Sequence, residues 1–273
     1  MNRTHAALLV ALTSPAALAQ DAAKDLKPSF DFSPAIIDAK SGTGSTLGVN
    51  YTLKGGRTLK NFEAADTGSV IDFGATTGKL VLTYEAKGTA TAAADRNPRN
   101  FLEFGIDTKL QRGSPGGVVR GGLFVKGEAD QRFINKQAVV GFSGTVGRYG
   151  MFARNDFLGV TAGFGRVDPK GDAEREKALG AGNLAAYNRW NAEGLFMIPV
   201  SDGAVRDLEL NVRWFRESGA PAAVQAADLD QHVLGGVRLG FKNDLFVAYS
   251  VGKLPFDRKS DNVLAMGFSY KLQ

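Results

Sequence analysis

The chain has 273 residues, with 33 Lys and Arg against 28 Asp and Glu for a formal net charge of +5. That mild excess does not argue for a nucleic-acid partner, and the absence of cysteine excludes disulfides and thiolate metal sites. Mean hydropathy is −0.13 and no long apolar run follows the first residues, so helical membrane spans are excluded. Membrane strands are not, because their two-residue period escapes a hydropathy scan.

Met1 to Ala19 carries Arg3, an apolar stretch from Ala6 to Leu12, and the small-x-small ending Ala17-Leu18-Ala19. This is the pattern of a cleaved export signal, and the stretch is shorter than the roughly 20 residues of a spanning helix. Residues 20–44 then form either an N-terminal periplasmic segment or a first strand, and 45–273 the main domain. From there, pieces of about ten residues alternate between apolar and polar positions, the length a tilted membrane strand needs. Weaker candidates are Leu47 to Leu53, Ser69 to Phe73, Leu80 to Lys87, Lys136 to Gly144, Arg148 to Arg154, Leu158 to Arg166 and Tyr187 to Val200. Stronger ones are Phe101 to Leu110, Val118 to Lys126 and Asp207 to Phe215; in the last, Leu208, Leu210, Val212 and Trp214 oppose Asp207, Glu209, Asn211 and Arg213. Val233 to Lys242, Leu245 to Val251 and Asn262 to Leu272 follow, the last with Leu264, Met266, Phe268, Tyr270 and Leu272 on one face.

A soluble β-sandwich also alternates. Against it stand charges at mid-strand, opposite a face that stays apolar over many strands. The connections also alternate in length: tight turns at Asn155-Asp156, Ser201-Asp202-Gly203 and Lys242-Asn243-Asp244, and long polar links at Val167 to Ala186, Glu217 to Gln231 and Lys253 to Asp261. Short periplasmic turns and longer outer loops are the mark of an outer-membrane barrel. The expected fold is therefore all-β, a transmembrane antiparallel β-barrel of about twelve strands (range 10–14), with both termini on the periplasmic side. Within the link Asp168 to Gly180, the run from Asp172 to Leu179 is a candidate helical turn. Tyr149, Trp214, Tyr249 and Tyr270 are candidates for interfacial aromatic girdles.

The stretch Asn135 to Asp156 resembles a hairpin of the Gram-negative general porins, in which a strand of the type R-Q-A-x-V-G-L-x-G precedes a glycine turn and a strand ending G-R. Gln137, Ala138, Val140, Gly141, Gly144, Gly147 and Arg148 sit in matching places, and the closing strand Gly267 to Leu272 is similar too. That family builds sixteen strands from a longer chain, so the resemblance implies a smaller porin-like barrel, an outer-membrane channel for passive diffusion. It names no cofactor.

Inward charges are the candidate pore lining: Glu103, Asp107, Arg120, Lys126, Arg154, Glu209, Arg213 and Arg238. Rings of charge in a water-filled pore select ions by sign, and the basic excess here implies a slight anion preference. The alternative is that these charges pair and plug a narrow lumen, since twelve strands fall between side-chain-filled small barrels and open porins. Such a barrel would serve as a non-conducting scaffold with partner-binding surface loops. Expected partners are outer-membrane lipid and small hydrophilic solutes, with a homo-oligomer possible. A third reading uses His232, the one histidine after the signal. With Asp230 it looks like the Asp-x-His arrangement of omptin rim proteases, where the carboxylate orients the base. That family's opposing acidic pair has no counterpart here, so a solvated loop base is favoured over a rim hydrolase.

Overall fold

The computed structural model describes residues 27–40, 44–62, 77–92, 97–114, 116–153, 155–180, 184–200, 203–257 and 259–272. The signal-like segment and the candidate strand Ser69 to Phe73 lie outside them. Thirteen strands form one antiparallel sheet: β1 (Ser29–Ala39), β2 (Thr46–Phe62), β3 (Thr77–Thr91), β4 (Leu102–Ser114), β5 (Gly117–Ala129), β6 (Lys136–Tyr149), β7 (Phe157–Gly171), β8 (Tyr187–Pro199), β9 (Val205–Ser218), β10 (Gln231–Phe241), β11 (Leu245–Gly252), β12 (Asp261–Phe268) and β13 (Tyr270–Leu272). From β1 to β12 each pairs with its neighbour in sequence, and β1 returns to pair with both β12 and β13. Because β13 continues β12 past Ser269, the barrel has twelve staves and is closed. Closure leaves no strand edge to be satisfied by solvent.

The period of two sorts each strand into an outer and an inner face. On β5, Leu123 is 69% exposed and the adjacent Phe124 only 4%. The same parity turns Ile36, Phe104, Val140, Leu210, Leu264 and Met266 outward. On β9 the outward set is Leu208, Leu210, Val212 and Trp214, as the alternation predicts. The outside is an apolar band, and the polar residues are within.

Several expected boundaries shift. Lys136 to Gly144 and Arg148 to Arg154 are not two strands: β6 runs unbroken to Tyr149. The glycines of the porin-like hairpin therefore lie in mid-strand. Gly144 and Gly147 pair across to Ala162 and Gly159 of β7, and the turn comes later, at 150–156. That turn is held by Asp156, whose carboxylate accepts hydrogen bonds from the backbone N–H groups of Met151, Phe152 and Ala153, each at 2.7 Å. The link after β7 is shorter than expected, because the strand persists to Gly171. Tyr149 is not a girdle residue. It shares β6's inward parity and packs on Phe157 with ring centroids 5.0 Å apart, whereas Tyr249 and Tyr270 do face outward.

At the long-loop end, α1 (Ala173–Leu179) forms where the sequence places a helical turn. Asp172 caps it by accepting from Arg175 N, and Gly180 ends it at φ 68°, the left-handed region open to glycine. It touches α2 (Ala222–Ala226) of the next long loop.

Candidate functional site in the barrel lumen

The inner faces of the staves meet in a network of ion pairs. Arg213 of β9 stands at its centre, 2% exposed. Its Nη2 lies 3.0 Å from Glu103 Oε2 on β4 and 2.8 Å from Glu193 Oε1 on β8. Lys126 of β5 reaches Glu103 Oε1 at 2.9 Å, and Lys87 of β3 lies 3.7 Å from the same oxygen. Four strands separate β4 from β9, so the Arg213–Glu103 pair crosses the lumen and does not run along its wall.

Closer to the long loops the crossing continues. Arg189 of β8 makes a bidentate pair with Glu128 of β5, at 2.9 and 2.5 Å. Arg175 of α1 binds Glu217 of β9 in the same forked manner, at 2.6 and 2.8 Å. Bidentate geometry fixes both partners in orientation. Phe101 and Phe215, with centroids 6.3 Å apart, join Leu234 and Leu254 in a buried apolar cluster, and Arg213 lies over both rings.

Arg99 and Asn100, between β3 and β4, are tied to the β11–β12 region at this end. Arg99, 3% exposed, donates to the backbone carbonyls of Gly252 and Asp261 and to Ser250 Oγ, at 3.2, 3.1 and 3.0 Å. Asp257 of the β11–β12 loop accepts from Asn100 N at 3.0 Å and Leu254 N at 2.8 Å. Burial pushes the Asp257 carboxyl up to about 6, against the lowering effect of Arg99 beside it.

At the short-turn end a second cluster forms. Arg238 donates to Ser269 Oγ at 2.9 Å and lies 3.4 Å from Asp207, while Arg206 bridges Asp207 and Asp244 at 2.6 and 3.2 Å. Glu209 is opposite Arg238 in the β9–β10 register. Between the clusters, Asp107 accepts from Thr83 Oγ1 at 2.5 Å and pairs with Lys109 at 3.1 Å.

The structure thus turns Glu103, Asp107, Arg120, Lys126, Glu209, Arg213 and Arg238 inward; Arg154 lies outside the described residues. It joins Glu103, Lys126 and Arg213 in one network and keeps Arg238 and Glu209 in another. Sequence reasoning missed Glu128, Arg189 and Glu193, although strand parity gives them the same direction as Lys126 on β5 and Tyr187 on β8. It also missed Arg99 and Asp257, which are in loops and carry no period. His232 and Asp230 are not joined: His232 Nε2 is 3.2 Å from the Leu229 carbonyl, and Nδ1 has no partner.

No protein-family model and no curated protein matches this sequence. Among solved structures, the NanC porin superposes over 89% of this chain and 100% of its own, with TM-score 0.50 and 11% identity. The KdgM porin covers 89% of this chain and 99% of its own, with TM-score 0.38 and 10% identity. The translocator domain of the autotransporter NalP from Neisseria meningitidis covers 94% of this chain and 91% of its own, with TM-score 0.29 and 15% identity. In fold, this chain is a closed twelve-stave antiparallel β-barrel similar to that of the NanC porin.

Proposed function

We propose that the protein is an outer-membrane channel for passive diffusion of small hydrophilic solutes, with a slight anion preference. The observation that carries this reading is a closed barrel with an apolar exterior and a charged interior. Glu103, Lys126, Glu193 and Arg213 meet in the interior of a closed barrel whose exterior is apolar, and a narrow passage lined by linked charges passes polar solutes and excludes apolar ones. The partly exposed interior lysines Lys109 and Lys126, 22% and 25% accessible, are matched by Glu85 and Asp107 at 26% and 16%, so the slight preference for anions rests on the basic excess of the chain. The long loops then lie outside the cell and both ends of the sheet at the periplasmic side. The likeness in fold to the NanC porin supports the same reading.

The test is single-channel conductance of the refolded protein in a planar bilayer, with reversal potential under a salt gradient. Stable ohmic steps with an anion-selective potential are expected. Arg213→Glu should move that potential toward cations, and unaltered selectivity in a conducting protein would remove Arg213 from the path.

One observation favours a second reading, a non-conducting barrel with partner-binding loops. Interior side chains on most staves are nearly closed to solvent, and Phe101, Phe215, Leu234 and Leu254 pack below latched loops. Silence from protein shown to be inserted would favour it, and deletion of residues 218–227 should then abolish partner capture while the barrel still folds.

A further inference from the structure

The outward face changes character in one sector at the long-loop end. On β7 and β8 the apolar band ends in Phe164 and Trp190, whose ring centroids are 4.7 Å apart. Arg216 of β9 is directly opposite Trp190, and Arg166 of β7 is opposite Asn188, one row nearer the loops. With strands about 4.8 Å apart and a rise of about 3.3 Å per residue, the two arginine Cα positions are about 12 Å apart. Both side chains face outward and are exposed. The nearby carboxylate of Asp168 is taken by Lys170 at 2.6 Å.

The arginines inside the barrel meet carboxylates, as Arg213, Arg189 and Arg175 do. Among the described residues, no ion pair or hydrogen bond engages the side chain of Arg166 or Arg216. Their forked donors are therefore presented to whatever surrounds the barrel, at the height where an apolar, aromatic band gives way to polar loops. A guanidinium there matches phosphate oxygens two at a time, and aromatic rings beneath it suit the boundary between acyl chains and head groups. Two cations about 12 Å apart call for an anion with more than one phosphate on a broad head group.

We infer that the sector formed by Arg166 and Arg216 above Phe164 and Trp190 binds the diphosphorylated head group of an outer-leaflet glycolipid, whose acyl chains lie along the aromatic pair. This inference rests on the outer-membrane reading and on the long loops facing outward.

The experiment uses the refolded full chain. Heat-modifiable migration and insertion into phosphatidylcholine vesicles establish the barrel first; failure to insert would sink the outer-membrane reading and this inference with it. Native mass spectrometry from detergent then compares binding of diphosphoryl lipid A, enzymatically dephosphorylated lipid A and phosphatidylglycerol. The diphosphoryl form should bind at least about tenfold more tightly than either other lipid, a difference of about 1.4 kcal/mol. The double variant R166E/R216E should lose that margin. R148Q, which changes an outward arginine at the opposite rim, should keep it. Equal binding of the three lipids, or an unchanged R166E/R216E variant, would overturn the inference.

Discussion

Arg213 and Glu103 touch at 3.0 Å across the inside of the barrel, although four strands lie between their staves. Arg213 also neutralises Glu193, so its loss takes the ion-pair partner from Glu193 and leaves Glu103 to Lys126 and Lys87. Removing one partner of a buried pair costs roughly 3–5 kcal/mol, mostly because the other charge remains. Arg213→Gln should therefore lower the urea midpoint of the inserted barrel and widen the passage, with larger and less anion-selective conductance steps. Adding Glu193→Gln should recover part of the stability. Strict additivity of the two changes would show that they do not interact.

The latch between the two long loops should respond to acid. The Asp257 carboxyl, lifted to about 6 by burial, faces Arg99 and Asp261 as well as the N–H groups of Asn100 and Leu254. A carboxyl raised above its value in the undocked loop binds more protons when docked. Its contribution to docking is thus fully present below about pH 4 and is lost as pH rises through about 6. Hydrogen exchange at the Asn100 and Leu254 amides, corrected for intrinsic rates, should show greater protection at pH 5 than at pH 7. Asp257→Asn should flatten the difference; protection that weakens on acidification would contradict the account.

Asp156 behaves in the opposite sense. Its removal from solvent works to raise its pKa, but the N–H groups of Ala153, Phe152, Met151 and Gly150 hold the carboxyl below the usual range. A depressed carboxylate supports its turn above the unfolded value and ceases to do so as pH falls through the folded one. Asp156→Ala should speed proteolytic nicking between Gly150 and Asn155 several-fold at pH 7, and the difference between wild type and variant should shrink as the carboxylate is protonated in acid.

Glycine matters unequally around the barrel. A Cβ on Gly267 would collide with the Pro34 carbonyl oxygen across the β12–β1 seam, whereas one on Gly144 meets nothing closer than the Arg120 carbonyl oxygen at 3.7 Å. Gly267→Ala should cost about 1–3 kcal/mol, the usual range for overpacking, and Gly144→Ala should cost nothing. Unfolding midpoints in detergent would separate the two, and equal effects would mean that the seam yields more easily than its backbone contacts suggest.

The architecture was legible where alternation is long and unbroken. Asp207 to Phe215 foretold which face of β9 carries charge, and Asn155 and Asp244 marked turns that do use positive φ, 67° and 66°. Pro34 masked β1, since a proline usually demotes a strand, yet here it sits on the outward face opposite Val49. What the pattern could not give is partnership. Parity sends Glu103 and Arg213 inward, but their meeting depends on the curvature of a closed sheet, which no local spacing encodes. Arg99 and Asp257 were hidden for a related reason, because loop residues follow no period and their roles come from the walls they lean on.

The hydroxyls of Ser33 and Ser269 meet at the seam across 236 positions of sequence. Such a contact comes late on any folding route, because loop closure over that length must precede any gain from the pairing. Until the twelfth stave arrives, β1 and β11 are open edges, and the interior salt-bridge network lacks its full wall. A chain halted before Asp261 would hold charged residues inside an incomplete shell with an unpaired rim. Such a chain should neither enter a bilayer nor be stable outside one. Assembly of this protein is accordingly an all-or-nothing event, committed only when the two ends of the sheet find each other.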